Sequence, residues 1–207
     1  MFNLQWTGYV MPMDLKDLNK YQKTNHFPGS TQLGRKDLLW RNMNRLRIKF
    51  PQEYSIAPMS FILSEEYQQF QTDRQLQENE RTLYILKPVA ASCGRGIRIV
   101  DAKQHVSNKD GILASRYIQN PHLINGLKYD LRVYVLVTSY CPLKVYMYDD
   151  GLVRFATEPY TQDTSKLGQK FVHLTNFSIN KKNSKFVKNN DSDEDGDEPD
   201  SSKWDFR

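Results

Sequence analysis

Lys128-Tyr129-Asp130-Leu131-Arg132 opens the longest apolar run of the chain, Val133-Tyr134-Val135-Leu136-Val137. Successive side chains of a strand point to opposite faces, so Lys128, Asp130 and Arg132 share one side and Tyr129, Leu131, Val133 and Val135 the other. The first face reads as chemistry and the second as core. Half-burying three charges is costly unless they hold something charged, a phosphate or a metal. The alternative is a salt-bridge ladder on an edge strand.

Downstream the pattern predicts a meander of strands over residues 129–139, 143–148 and 152–156, with Asp149-Asp150-Gly151 as the hairpin turn before the last. Arg154 alternates with Val153 and Phe155, which brings it to the face of Lys128, Asp130 and Arg132 if the strands pair in order. Upstream, a strand over Leu83–Pro88 ends on Lys87 and a return strand covers residues 97–100. The loop between, residues 89–96, is built of small residues. Backbone N–H groups of such a loop can cradle phosphate oxygens while Lys87 and Arg95 add charge; a plain turn is the simpler reading of that stretch alone.

The 207 residues suffice for one domain or two small ones. No segment reaches the roughly 18 apolar residues of a membrane span, and the first residues lack a signal pattern. Cys93 and Cys141 fit neither a disulfide framework nor a metal site, which suits a reducing compartment; the sequon at Asn176 is therefore read as chance. Net charge is +5, but residues 191–207 hold eight acidic and two basic residues, leaving 27 basic against 16 acidic before them, a net +11. So basic a body suits an anionic partner: nucleotide, nucleic acid or acidic protein.

Residues 4–10 read as a strand. A helix spans residues 31–50, capped by Ser30 or Thr31, stopped by Pro51 and basic on its outer face. A strand at residues 59–63 leads into a helix capped by Ser64 and running to about Leu76. Another strand covers residues 112–118. Residues 171–180 mix apolar and hydrogen-bonding side chains too densely for an ordinary loop, and His173 there reads as a structural histidine. Residues 191–200 are disordered on composition, and Trp204 and Phe206 mark a return to structure.

Taken together, Lys87-Pro88 with Gly94-Arg95-Gly96, Ser115-Arg116-Tyr117-Ile118, Lys128-Tyr129-Asp130-Leu131-Arg132, Gly151 through Ala156, and His173-Leu174-Thr175-Asn176 resemble, in order and spacing, the tubulin tyrosine ligase-like enzymes, and within them the polyglutamylases. The resemblance implies an α/β, ATP-grasp fold whose mixed and antiparallel sheets sandwich the nucleotide. It divides the chain into an N-terminal region (1–80), a central lobe with the phosphate-binding hairpin (81–120), the first part of a C-terminal lobe (121–183) and an acidic insert (184–203).

By the same resemblance, Lys87, Arg95 and Gly96, and Lys36, contact ATP phosphates, and Ser115, Arg116, Tyr117 and Ile118 form the hinge that receives adenine. Lys128, Tyr129, Asp130, Thr175 and Asn176 match nucleotide contacts. Lys128 and Asp130 are implied in catalysis with Arg132, which stabilises the phosphorylated intermediate, while Arg154 binds the carboxylate of the incoming L-glutamate and Ser178 also contacts the amino acid. The implied cofactors are ATP and Mg2+, and the implied partners tubulin and microtubules through their acidic tails, together with free L-glutamate, not nucleic acid or membrane. The implied setting is the cytoplasm and cytoskeleton, extending to cilium or basal body.

The family's magnesium ligands, an Asp and a Glu-x-Asn pair, fall beyond Arg207, so the expectation is a chain lacking its C-terminal part, and its start as well. Cys93 stands where relatives carry a larger polar residue. The alternatives are a truncated or inactive relative that binds nucleotide or microtubules without ligating, and a ligase for another acidic protein.

Overall fold

β-branched and aromatic residues cluster in separate stretches of the chain, and the computed structural model, which describes residues 2–8, 12–78, 80–188 and 202–205, turns those stretches into two four-stranded sheets. The chain divides into two units, Met1–Ala57 and Pro58–Arg207.

In the first unit β1 (Leu4–Gln5) and β2 (Lys23–Thr24) pair in parallel, with α1 (Pro12–Lys16) between them in sequence. The strand expected over residues 4–10 is thus two residues long as far as it is described. The single helix expected over residues 31–50 is two, α2 (Thr31–Gly34) and α3 (Lys36–Lys49), because Arg35 is extended (φ −88°, ψ 131°). Its guanidinium turns instead to Asp37, 2.7 Å away. The Ser30 side chain makes no capping bond, and α3 stops at Phe50, before Pro51, as expected.

The second unit opens with β3 (Ser60–Ile62), α4 (Leu63–Leu76), β4 (Leu83–Pro88), β5 (Arg98–Asp101) and β6 (Ile112–Arg116). The strands form an antiparallel sheet in the order β3-β6-β4-β5. Against one face α4 buries Leu63 and Phe70 with Phe61, Tyr84, Leu86 and Ala114, and Phe70 meets Tyr84 edge-on at 5.2 Å. The start of α4 is capped by Glu66 rather than Ser64: the Ile62 N–H donates to Glu66 Oε2 at 2.7 Å, and Glu66 leaves helical geometry to receive it.

Farther along α4, the carboxylate of Asp73 accepts two bonds from the Arg116 guanidinium and one from the Tyr84 hydroxyl at 2.8 Å. The next residue, Arg74, donates to the carbonyls of Ala102 and Gln104, holding the segment that leaves β5. One turn of helix therefore ties three strands together by buried polar bonds.

The second sheet has the order β10-β9-β8-β7, from β7 (Leu123–Ile124), β8 (Leu127–Tyr140), β9 (Leu143–Phe155) and β10 (Lys203–Asp205). The Asp149-Asp150-Gly151 stretch is not a turn. The chain reverses at Cys141-Pro142, and β9 runs straight through. Val133 pairs with Gly151 and Val135 with Met147, so Tyr148, Asp149 and Asp150 face Tyr134 alone, a β-bulge. The local bonding that suits Asp-Gly to turns is used inside the bulge, where Asp150 Oδ1 accepts the Gly151 N–H at 2.6 Å.

The apolar face of β8 also departs from expectation. Leu131, Val133 and Val135 are 56%, 42% and 56% exposed, so they are not core. That face is buried only at the base of the hairpin, where Phe155 packs between Tyr129 and Trp204. β10 bears out the return to structure at Trp204; Phe206 and the acidic run 191–200 lie outside the described residues. Among the described residues no helix is long and apolar enough to cross a membrane.

Asp73→Ala leaves two donors facing an empty, buried acceptor position. Urea unfolding of this variant should show a loss of roughly 2–3 kcal/mol, below the range for a fully buried pair because Arg116 is partly exposed. An unchanged midpoint would show that the Asp73 bonds do not hold α4 to the sheet.

Candidate active site

The first sheet's other face carries Leu83, Ile85, Ile99 and Tyr117, packed with Tyr160 and Leu167. Strand alternation places Lys87 on this side, two residues beyond Ile85. Ser115 pairs with Ile85 across the sheet, and its hydroxyl is buried against that of Ser60 at 2.8 Å.

The second sheet sends Lys128 to the same place. Its ammonium lies 4.3 Å from the centre of the Tyr117 ring and donates to the Tyr117 hydroxyl at 2.8 Å. That hydroxyl is 3.1 Å from His173 Nδ1, at the end of α5 (Lys170–His173), and Tyr160 meets the His173 ring edge-on. With Lys128 donating, the phenol's own proton is left for the imidazole. Burial pushes the Tyr117 hydroxyl well above its ordinary range, so it stays a phenol. Burial lowers His173 too, helped by the charge of Lys128, and keeps it neutral near pH 7.

Lys128 itself is pulled down to about 8, first by burial, then by the charge of Lys87, with Asp130 opposing both. Two ammonium groups thus act on one spot whose walls are aromatic. Such an arrangement favours an anion that can touch both.

Next along the face, Asp130 pairs directly across the hairpin with Arg154. The pair is bidentate: Arg154 Nε donates to Oδ1 at 2.8 Å and a terminal nitrogen to Oδ2. Asp130 raises the Arg154 guanidinium further above its already high range. Arg132 is exposed, its guanidinium 5.9 Å from the Tyr134 ring.

The small-residue loop approaches from the first sheet. Cys93, Gly94 and Gly96 all have positive φ, at 59°, 74° and 70°. Cys93 is strained there, whereas a glycine adopts such angles freely. The loop rests on α6 (Phe177–Asn180), where Ser178 Oγ donates to the Cys93 carbonyl at 2.8 Å. Thr175 and Asn176 lead into α6, and the Asn176 side chain lies against the loop at Gly94.

The structure therefore brings Lys87, Tyr117, Lys128, Asp130 and Arg154 to one face, and Arg95 and Gly96 to a loop held by Ser178. It turns the Arg116 side chain to the other side of its sheet, onto Asp73 and away from the face of Ser115 and Tyr117. Ile118 is exposed beyond the end of β6. Lys36 begins α3 in the first unit. His173 and Tyr160 are site neighbours that sequence reasoning left out: His173 was visible but had no neighbouring ligand in sequence, and Tyr160 lies in an irregular stretch without periodicity. Among the described residues, no group of three or more His, Cys, Asp or Glu is placed to hold a metal.

Residues 13–206 match the tubulin-tyrosine ligase family. The chain is 42% identical over 187 residues to tubulin monoglutamylase TTLL4 of Homo sapiens, an alignment covering 90% of this chain and 15% of that protein. It is 44% identical over 188 residues to tubulin polyglutamylase TTLL5 of Homo sapiens, covering 90% and 14%. It is 42% identical over 192 residues to tubulin polyglutamylase ttll6 of Danio rerio, covering 92% and 24%. The chain thus spans between about a seventh and a quarter of the length of these relatives.

The lowered Lys128 can be read directly by lysine-selective NMR. Its midpoint should fall near 8 instead of 10.5, rise in Lys87→Met and fall further in Asp130→Asn. Because the unfolded chain then binds the extra proton between those two values, stability should climb with pH across that window. A midpoint at the ordinary lysine value would remove the electrostatic account of the site.

Proposed function

We propose, because the chain belongs to the tubulin-tyrosine ligase family, that it is the nucleotide-binding part of an ATP-dependent ligase adding L-glutamate to glutamate side chains in the acidic tails of tubulin. The observation that carries the reading is the convergence of Lys87 and Lys128 beside the Asp130–Arg154 pair. One end of that row suits phosphates and the other a carboxylate.

In this reading residues 81–120 and 121–183 belong to the central and C-terminal lobes of an ATP-grasp fold and supply most of the two antiparallel sheets, β3 and β10 joining them from outside those ranges. Lys87, Lys128 and Arg95 hold the phosphates, with Gly96 leaving room at the loop. Ser115, Arg116, Tyr117 and Ile118 receive the adenine through backbone and ring, and Tyr129, Thr175 and Asn176 complete the nucleotide contacts. The cations fit a nucleoside triphosphate. For magnesium the described residues offer Asp130, already engaged by Arg154; when bound, the ion would neutralise phosphate charge during transfer.

The reaction would begin as a tail glutamate carboxylate takes the γ-phosphoryl group, giving an acyl phosphate and ADP. The amine of free L-glutamate then attacks the acyl carbon, forming the isopeptide and releasing phosphate. Both steps gather negative charge, which in this reading Arg132 and the lysines stabilise. Arg154 uses two donors on Asp130 and retains others for the α-carboxylate of the incoming glutamate. The excess positive charge before the acidic run suits an acidic tail, and cytoskeletal association follows from such a substrate.

The test is incubation with tubulin, MgATP and isotopically labelled L-glutamate. Label should enter intact tubulin and not tubulin stripped of its tails, and Arg154→Lys should raise KM for glutamate about tenfold through loss of the bidentate fork. ATP binding without any transfer of label would instead favour a binding module.

A further inference from the structure

Three observations fix the seating of the 89–96 loop, two of them on its contact with α6. Ser178 Oγ donates to the Cys93 carbonyl at 2.8 Å, across 85 residues of sequence. Gly94 is buried in a left-handed conformation (φ +74°), and a Cβ there would lie 2.4 Å from Ile179 Cδ1 and 2.9 Å from Asn176 Oδ1. On the loop's other side, a Cβ on Gly96 (φ +70°) would lie 2.8 Å from Pro88 Cγ. The loop is therefore seated between the end of β4 and the first turn of α6, and Arg95 projects from the middle of the seated segment, exposed.

We infer that Ser178, with the notch that Gly94 fills on Asn176 and Ile179, is a positioning element for the phosphate-binding loop, setting where Arg95 stands relative to Lys87 and Lys128. This rests on the nucleotide reading above and goes beyond it. The resemblance gives Ser178 to the amino acid, whereas its hydroxyl proton here is committed to the loop. A hydroxyl has one proton to donate, and an acceptor carbonyl on a strained residue such as Cys93 is held in place by receiving it. The consequence is that α6 and the loop form one unit, so a change at Ser178 is felt at the phosphates.

The test uses the full chain and two independent readouts. Tryptic cleavage after Arg95, followed by mass spectrometry without nucleotide, reports seating of the loop; titration with a fluorescent ATP analogue reports its consequence. Ser178→Ala should speed cleavage at Arg95 and weaken analogue binding, each roughly fivefold, the worth of one net hydrogen bond. Ser178→Thr, which keeps the hydroxyl, should restore both. Gly94→Ala should do more than Ser178→Ala, and part of its defect should be recovered by adding Ile179→Val, which removes the nearest clashing atom. The inference is overturned if Ser178→Ala cleaves at the wild-type rate, or if it alters affinity for L-glutamate alone. Failure of the unmodified chain to bind the analogue would sink the nucleotide reading, while the cleavage rates would still decide whether Ser178 seats the loop.

Discussion

Two lysines acting on one partly desolvated spot set the terms for everything around them. Lys87 comes from the end of β4 and Lys128 from the start of β8, and burial, with the charge of Lys87 added to it, lowers Lys128 to about 8. The fold keeps Lys128 in place with a phenol oxygen and two ring faces. None of these neutralises it. Among the described residues Asp130 acts in its favour, and both oxygens of that carboxylate are held by Arg154. A site so arranged gains most from a multivalent anion spanning both ammonium groups, which is the electrostatic core of the ligase reading.

That arrangement depends on how each sheet is anchored elsewhere. The first sheet can turn Leu83, Ile85, Lys87 and Tyr117 toward the site because its opposite face is closed by α4 through apolar packing and the Asp73 bonds. The second sheet is anchored at its base, by Phe155 against Tyr129 and Trp204, while its outer half remains exposed. The charged pair Asp130–Arg154 sits at the junction between the buried base and the exposed half.

Much of this was legible in the sequence because strand periodicity is two: the pentapeptide 128–132 announces its own charged face, and Arg154 reaches that face by alternating with Val153 and Phe155. Family motifs supplied roles that alternation could not. Three things were not legible. The Asp149-Asp150-Gly151 signature satisfies the same local bonding in a bulge as in a turn, and only the pairing partner decides between them. A β-branched face looks like core in sequence whether or not anything packs on it, so the exposure of Leu131, Val133 and Val135 could not be read. Alternation sets Arg116 opposite its neighbours Ser115 and Tyr117, but which of the two faces meets the site is decided by tertiary packing, here by the carboxylate of Asp73 43 positions away.

A site of this kind binds phosphate by recharging Lys128. Calorimetric titration of ATP into the chain at pH 8, repeated in buffers of different ionisation enthalpy, measures the protons taken up on binding. With Lys128 half protonated at that pH, binding should draw about half a proton from the buffer, and Lys128→Met should abolish the uptake. ATP binding with no proton uptake, or uptake that persists in Lys128→Met, would contradict the account.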